Sequence, residues 1–111
     1  MAVVSEVHRF DICLVSLDPT RGSEIRKTRP CVVVSPDEMN RYLRTVIVAP
    51  MTTASRPYPT RVNLRFQGKS GQIAADQVRT IDRGRILRRV GRITDTTARR
   101  LCAVLAETFA Y

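Results

Sequence analysis

Short segments rich in β-branched and aliphatic residues recur along the chain at about the length of one strand, separated by turn-forming residues. Continuous apolar runs predict buried strands at 31–35 and 45–49, the second ended by Pro50. Alternating polar and apolar residues predict a strand over 61–66 with one face in water. Further strands are predicted at 11–17, at 72–81 as one or two strands after a turn at 68–71, and at 86–93 with Gly91 as a bulge or bend.

One segment near the C-terminus follows a helical period instead. Thr94 or Asp95 can cap its first turn, and a shorter helical turn is predicted at 37–42. Many short strands followed by one terminal helix predict a mainly β (α+β) chain, a small, partly closed β-barrel with the helix packed on it. The apolar residues on one side of the terminal helix are Ala98, Leu101, Cys102, Leu105 and Phe109.

Length and composition bound the class of protein. The 111 residues, 43% hydrophobic and 26% charged, fit one globular domain. We place that domain at 10–111, behind an N-terminal tail of residues 1–9. No apolar run approaches the ~18 residues that cross a bilayer, and the first residues lack the apolar stretch of a secretory signal. We therefore expect a cytoplasmic protein that is not associated with a membrane.

Positive charge is concentrated in the middle of the chain. There are 19 Lys and Arg against 10 Asp and Glu, and residues 56–92 hold ten of the basic residues and two of the acidic ones. Seventeen of the 19 basic residues are Arg, whose planar guanidinium can bind a phosphate with two hydrogen bonds. Such a block predicts binding to a polyanion. Nucleic acid is favoured over anionic lipid because no basic amphipathic helix accompanies the block.

The residue types do not favour metal chemistry. The acidic residues are scattered, and His8 is the only histidine of the sequence. Cys13, Cys31 and Cys102 are widely separated in apolar surroundings, which is typical of reduced core cysteines. We expect no metal and no other cofactor. A nuclease built from these residues would neutralise the phosphate with Arg and use the 2′-hydroxyl of RNA as its nucleophile, so it would cut RNA and not DNA.

Two places bring chemistry-bearing side chains to the ends of predicted strands. A polar loop places Glu24, Arg26 and Arg29 at one rim, and Pro30 sets the turn into the next strand. The buried strand at 45–49 is followed by two hydroxyl residues, Thr52 and Thr53.

At these places the sequence resembles a known family. The blocks that carry the resemblance are Asp18–Glu24, Arg29-Pro30, Val32–Pro36, Thr45–Thr52, Tyr58-Pro59 and Asp76–Asp82. In this order they resemble the MazF/PemK toxin endoribonucleases of type II toxin–antitoxin systems, from about Phe10 to the C-terminus. The resemblance implies a homodimeric SH3-like β-barrel of the CcdB/MazF type that cuts single-stranded RNA at short motifs without a metal. The products would carry 2′,3′-cyclic phosphate and 5′-hydroxyl ends, and an acidic MazE-like antitoxin would block the RNA groove.

The resemblance also assigns residues to roles. It makes Arg29 and Thr52 the catalytic pair. Arg29 would stabilise the phosphorane and protonate the leaving group or relay a proton to it, the first role being favoured because a guanidinium is a poor acid–base catalyst, and Thr52 would donate a hydrogen bond to a phosphate oxygen. Glu24 becomes the candidate base, or the residue that orients Arg29. The residues expected to bind RNA are Ser23, Arg26, Lys27 and Thr53 near the catalytic pair, Asp76, Gln77 and Arg79 along the groove, and, on the ground of charge, Arg83, Arg85 and Arg88.

The chain departs from the family pattern in two places. Phe10-Asp11 stands where the family usually has Gly-Asp, which changes a turn and not a catalytic group. The loop at 25–28 is more basic than the usual version, so the resemblance carries over the reaction type but not the RNA motif that is cut.

Two alternatives share the fold. A gyrase-poisoning toxin of the CcdB type ends in a Trp-containing tail, whereas this chain has no Trp and ends in Phe-Ala-Tyr. A non-catalytic RNA-binding module would display several aromatic side chains for stacking. Here Tyr42 and Tyr58 are the candidates, because Phe10, Phe66 and Phe109 are expected in the core.

Overall fold

The computed structural model describes residues 6–17 and 28–111, and within them seven strands and two α-helices follow one another. They are β1 (Asp11–Ser16), β2 (Thr28–Val33), α1 (Asp37–Tyr42), β3 (Thr45–Thr52), β4 (Arg61–Phe66), β5 (Lys69–Ala74), β6 (Arg79–Asp82), β7 (Ile86–Arg92) and α2 (Asp95–Phe109). Short 3₁₀ turns occupy 75–77 and 83–85. The predicted mainly β chain with a C-terminal helix is confirmed.

The strands form one curled antiparallel sheet in the order β4-β5-β3-β2-β1-β7, with β6 paired to β3. On one edge of β3, Val48 pairs with Arg79 of β6 and Thr52 pairs with Gln72 of β5. The prediction that Pro50 ends this strand is wrong. Pro50 lies inside β3, in the gap between the residues paired with β6 and those paired with β5, so its missing N–H costs that edge no ladder hydrogen bond.

Two apolar clusters occupy opposite sides of the sheet, because successive side chains of a strand point to opposite faces. Ile12 belongs to the cluster that packs under α2, and its neighbour Cys13 belongs to the other. From α2 the buried residues are Ala98 and Leu101. Phe109, predicted in the core, is 72% exposed because it lies in the last turn of the helix, beyond that buried contact.

Local signals account for the ends of the later elements. The Thr94 hydroxyl oxygen accepts a hydrogen bond from the Thr97 N–H at 3.2 Å, which confirms the predicted helix cap. In β7 the partner of Ile12 is Gly91 and the partner of Cys13 is Arg89, so Val90 is an extra residue. The bulge therefore lies next to the predicted glycine.

None of the helices within the described ranges is long and apolar enough to cross a membrane.

The chain enters β1 through Phe10, which has a left-handed φ of 75°. This is the position where the family that the sequence resembles usually has Gly, a residue that adopts such a φ without strain. Both backbone groups of Phe10 are bonded, its N–H to Val33 and its carbonyl to Ile93. The next residue, Asp11, is buried and forms an ion pair with Arg89 at 3.0 Å. Val7, in the predicted tail, is also buried in the sheet cluster that holds Cys13.

Candidate functional site

Arg29 and Thr52 lie side by side at the end of the β2–β3 ladder. Cys31 pairs with Pro50, and two residues further along each strand the same register brings Arg29 level with Thr52. Arg29 Nη1 donates to the carbonyl of Met51 at 3.5 Å. The structure therefore brings together the two residues that were predicted to form a catalytic pair, and both are partly buried.

Two cavities meet at Arg29 and Thr52, which line both of them. The first, of about 330 Å³, is bounded by the β4–β5 hairpin, and we call it the hairpin cavity. The second, of about 390 Å³, lies on the other side of the pair, and we call it the arginine cavity. Besides the pair, its charged and polar lining residues are Arg56, Tyr58, Arg61, Gln77 and Arg79.

The Thr52 hydroxyl is oriented by the backbone that follows it. Its oxygen accepts a hydrogen bond from the N–H of Ala54 at 3.1 Å. A hydroxyl that accepts in this way keeps its own hydrogen to donate. Thr52 can therefore supply a hydrogen bond to a ligand in either cavity.

Arg61, in the wall of the arginine cavity, forms an ion pair with Asp76. Arg61 donates to the Asp76 carboxylate through Nε at 2.8 Å and through Nη2 at 3.3 Å. These hydrogen bonds hold the pKa of Asp76 below its ordinary value, and the Arg61 guanidinium lies 5.2 Å from the ring centre of Tyr58. Asp76, predicted to contact RNA, is thus engaged in holding Arg61, a residue that the sequence did not single out.

The loop between β3 and β4 is fastened by the buried side chain of Gln72. The Gln72 amide oxygen accepts from the Arg56 N–H at 3.0 Å, and its nitrogen donates to the Arg56 carbonyl at 3.0 Å. The same nitrogen donates to Asn63 Oδ1 at 2.9 Å. These contacts fix Arg56 at the rim of the arginine cavity. The position of Gln72 within a predicted strand gave no sign of this role.

The basic block divides into residues at the cavities and residues bonded within the fold. Arg79 and Gln77 line the arginine cavity, and Thr53 lines the hairpin cavity. Arg83 instead donates to the carbonyls of Asn40 and Leu43 at the end of α1. The other two arginines predicted from charge lie outside both cavities: Arg85 donates to the Ser16 carbonyl at 3.3 Å and Arg88 is exposed on β7.

Four predicted site residues lie in the segment 18–27, outside the described residues: Ser23, Glu24, Arg26 and Lys27. Within residues 6–17 and 28–111, no three His, Cys, Asp or Glu side chains come together where a metal ion could bind. Cys13 and Cys31 face each other across β1 and β2 as free, buried thiols. Burial raises the pKa of Cys13 to about 11 and that of Cys31 to about 12, as expected of core cysteines.

The sequence that folds into this curled antiparallel sheet, with the arginine cavity at the end of its central strands, matches one family of toxins. A family model described as the PemK-like, MazF-like toxin of type II toxin–antitoxin systems matches residues 8–109. The chain therefore belongs to this family, and the prediction made from the sequence blocks is confirmed.

Individual relatives agree with this assignment. The chain is 39% identical over 98 residues to endoribonuclease PemK of Escherichia coli, covering 83% of this chain and 74% of the relative. It is 42% identical over 71 residues to endoribonuclease toxin MazF of Escherichia coli strain K12, covering 64% of each chain. It is 40% identical over 98 residues to endoribonuclease MazF9 of Mycobacterium tuberculosis, covering 79% of this chain and 83% of the relative.

Solved structures share the fold. A crystal structure of MazE-MazF from Deinococcus radiodurans superposes with a TM-score of 0.80 at 23% identity, covering 92% of this chain and 94% of that one. An endoribonuclease in complex with its cognate antitoxin, from a mycobacterial species, gives a TM-score of 0.80 at 22% identity, covering 96% and 99% of the two chains.

Proposed function

We propose that this chain is an endoribonuclease toxin that cuts single-stranded RNA between Arg29 and Thr52. One observation carries the proposal: these two side chains form the common wall of the hairpin and arginine cavities. An RNA strand that crosses from one cavity to the other passes a phosphate between them. The arginines of one cavity favour a polyanion, and the relatives named endoribonuclease PemK and MazF support the same activity.

In the proposed reaction the RNA supplies its own nucleophile. The 2′-hydroxyl oxygen attacks the adjacent phosphorus while its proton passes to a base, for which Glu24 is the candidate; alternatively Glu24 orients Arg29. The bond from phosphorus to the 5′-oxygen then breaks, and that oxygen takes up a proton from the protonated base or from water. The products are a 2′,3′-cyclic phosphate and a 5′-hydroxyl, and no metal ion takes part.

Arg29 and Thr52 stabilise the intermediate of this reaction. Arg29 acts by placing the positive charge of its guanidinium against the phosphorane. Thr52, whose oxygen already accepts from Ala54, donates its hydroxyl hydrogen to a phosphate oxygen. Arg79, Gln77 and the loop residues of segment 18–27 bind the flanking RNA.

Two protein partners belong to the proposal. The formal charge of +9 favours an acidic antitoxin that occupies the two cavities in place of RNA. We propose that this binding takes place in the cytoplasm. Among similar folds, one structure contains MazE with MazF and another contains an endoribonuclease with its cognate antitoxin. We propose the active form as a homodimer.

The experiment is cleavage of a long single-stranded RNA by the purified chain in EDTA, with both fragment ends mapped by sequencing. We expect discrete cuts with 2′,3′-cyclic phosphate ends, lost in Arg29→Ala and in Thr52→Ala while RNA binding persists. The matched control is Arg99→Ala, which removes an exposed arginine of α2 that pairs with Asp95. This variant should cleave RNA as the wild type does. Binding without cutting by the folded wild-type chain would instead support a non-catalytic RNA-binding module.

A further inference from the structure

We propose that the hairpin cavity is a subsite for the nucleobase on one side of the cut, and that Gln67 recognises the edge of that base. The inference rests on the proposed function, because the base is placed relative to a phosphate held between Arg29 and Thr52. It adds a residue that determines which RNA sequence is cut.

The two cavities differ in chemistry although they share Arg29 and Thr52. The arginine cavity adds three further arginines, which suits the phosphates of the strand. The hairpin cavity has a mainly apolar wall with several polar groups and one further cation, Lys69, and its volume of about 330 Å³ falls in the range of small-ligand sites. A nucleobase has this character, since its faces stack on apolar groups and its edges form hydrogen bonds. The apolar wall consists of Pro30, Met51, Leu64 and Phe66.

The Phe66 ring is held in place from behind. A methyl group at Gly91 of β7 would lie 3.0 Å from Phe66 Cε1, so the backbone of β7 approaches the ring closely. Phe66 also packs against the cluster of buried residues under α2. A ring fixed in this way keeps its position when a base enters the cavity, which lowers the entropy cost of stacking.

Gln67 has an unusual backbone for its residue type. Gln67 and Gly68 form the two-residue turn between β4 and β5, with φ values of 52° and 77°. Positive φ at both positions is the geometry of a type I′ turn, in which Asn, Asp or Gly is favoured at the first position. Glutamine has neither the freedom of Gly nor the short side chain of Asn. A strained residue that persists in a turn points to a role for its side chain.

The Gln67 amide is free to serve that role. Within the described ranges its side chain has no hydrogen-bond partner, and the residue is exposed at the edge of the hairpin cavity. The turn itself is ordered by another residue: Arg65 donates to the Gly68 carbonyl at 2.9 Å and to the Ser70 hydroxyl at 3.1 Å. Gln67 therefore presents one acceptor and two donors from a rigid turn, enough for two hydrogen bonds to a base edge.

The test compares the cutting motifs of the wild-type chain and Gln67→Asn on a pool of random-sequence RNA. Asn suits the turn better, so the variant should be folded and at least as stable. We expect its preference at one nucleotide next to the cut to fall by about tenfold, with other positions unchanged, because the same amide on a side chain one methylene shorter no longer reaches the base edge. Arg99→Ala should keep the wild-type motif.

A second measurement ties the effect to the base itself. Cleavage of a cognate oligonucleotide is compared with that of the same oligonucleotide lacking the base at the affected position. For the wild-type chain, kcat/KM should be about tenfold or more lower on the abasic oligonucleotide than on the cognate one. For Gln67→Asn the loss should be much smaller, so the two proteins should have equal kcat/KM on the abasic RNA. Phe66→Leu keeps the wall apolar but removes the ring. Its kcat/KM should be lower than that of the wild type by a similar factor on the cognate RNA and equal to it on the abasic RNA.

The outcomes separate this inference from the proposed function. If Gln67→Asn cuts the wild-type motif unchanged, or loosens it equally at every position, the base subsite is overturned while the endoribonuclease stands. Equal losses by both proteins on the abasic RNA also overturn it. If the folded wild-type chain cuts no RNA, the proposed function fails and the subsite fails with it.

Discussion

Gly71 of β5 lies against the backbone of Thr52: a methyl group on Gly71 would come within 2.8 Å of the Thr52 carbonyl oxygen. The contact arises because Thr52 pairs with Gln72, the next residue of β5. A side chain at position 71 would therefore separate the two strands at the point where the proposed catalytic threonine is held.

We expect Gly71→Ala to lower kcat for RNA cleavage by about tenfold to a hundredfold, because small displacements of catalytic groups have effects of this size. The accompanying loss of stability should be about 1–3 kcal/mol, as for other overpacked sites. Single-turnover cleavage and urea unfolding measure the two effects. Gly84→Ala, whose nearest neighbour is a side-chain oxygen of Asp82 at 3.1 Å and not a backbone atom, is the control. Wild-type kcat in Gly71→Ala would show that Thr52 tolerates the displacement.

The hydrogen bonds of Gln72 to the β3–β4 loop should affect RNA binding. Gln72→Leu removes both hydrogen bonds to the Arg56 backbone and should release the β3–β4 loop from the arginine cavity. We expect KM for an RNA oligonucleotide to rise several-fold with little change in kcat, because phosphate binding weakens while Arg29 and Thr52 stay in place. Asn63→Ala removes one Gln72 partner and leaves Arg56 fastened, so its KM should match the wild type. An unchanged KM in Gln72→Leu would contradict a positioning role for this residue.

Arg79 and Arg83 should separate the two roles of the basic block. Arg79 lines the arginine cavity, so Arg79→Ala should weaken RNA binding and reduce the slope of log affinity against log salt by about one. Arg83 is bonded to two carbonyls at the end of α1, so Arg83→Ala should lower stability by about 1–3 kcal/mol and leave the salt slope unchanged. Fluorescence titrations at several salt concentrations and thermal unfolding of both variants give the comparison. The opposite pattern would place Arg83 on the RNA.

The sequence was informative where the signal is local. Alternating residues defined β4 at Arg61–Phe66, and the apolar stripe with its Thr94 cap defined α2. Arg29 and Thr52 were identified by resemblance, and the β2–β3 register then placed them together. Each of these signals lies within a few residues or within a recognisable block.

The remaining features depend on contacts between distant parts of the chain. Pro50 continues β3 only because the strand changes partner there, which no local pattern reveals. Arg61 meets Asp76 across 15 residues, and Arg83 meets Leu43 across 40. Whether an arginine of the basic block is bonded to a carbonyl of the fold depends on this packing, which the charge pattern alone does not reveal.

The Arg61–Asp76 pair should make the folded chain more stable at neutral pH than in acid. The hydrogen bonds from Arg61 lower the pKa of Asp76 in the folded chain, so the pair stabilises the fold above the ordinary Asp pKa of about 3.9. That stabilisation is lost as the pH falls through the lowered pKa, because the carboxylate becomes protonated. Asp76→Asn should therefore be less stable than the wild type at pH 7, by about 1 kcal/mol since Asp76 is partly exposed, and the difference should shrink below pH ~4.

Urea midpoints of both proteins between pH 7 and pH 3 provide the measurement. Asp95→Asn, which alters an exposed pair with Arg99 on α2, controls for the loss of one negative charge. Because Asp76 also orients Arg61 in the arginine cavity, Asp76→Asn should raise KM for RNA at pH 7 as well. If the difference in free energy of unfolding between the wild type and Asp76→Asn stays constant from pH 7 to pH 3, the charge of the Asp76 carboxylate does not hold Arg61 in place.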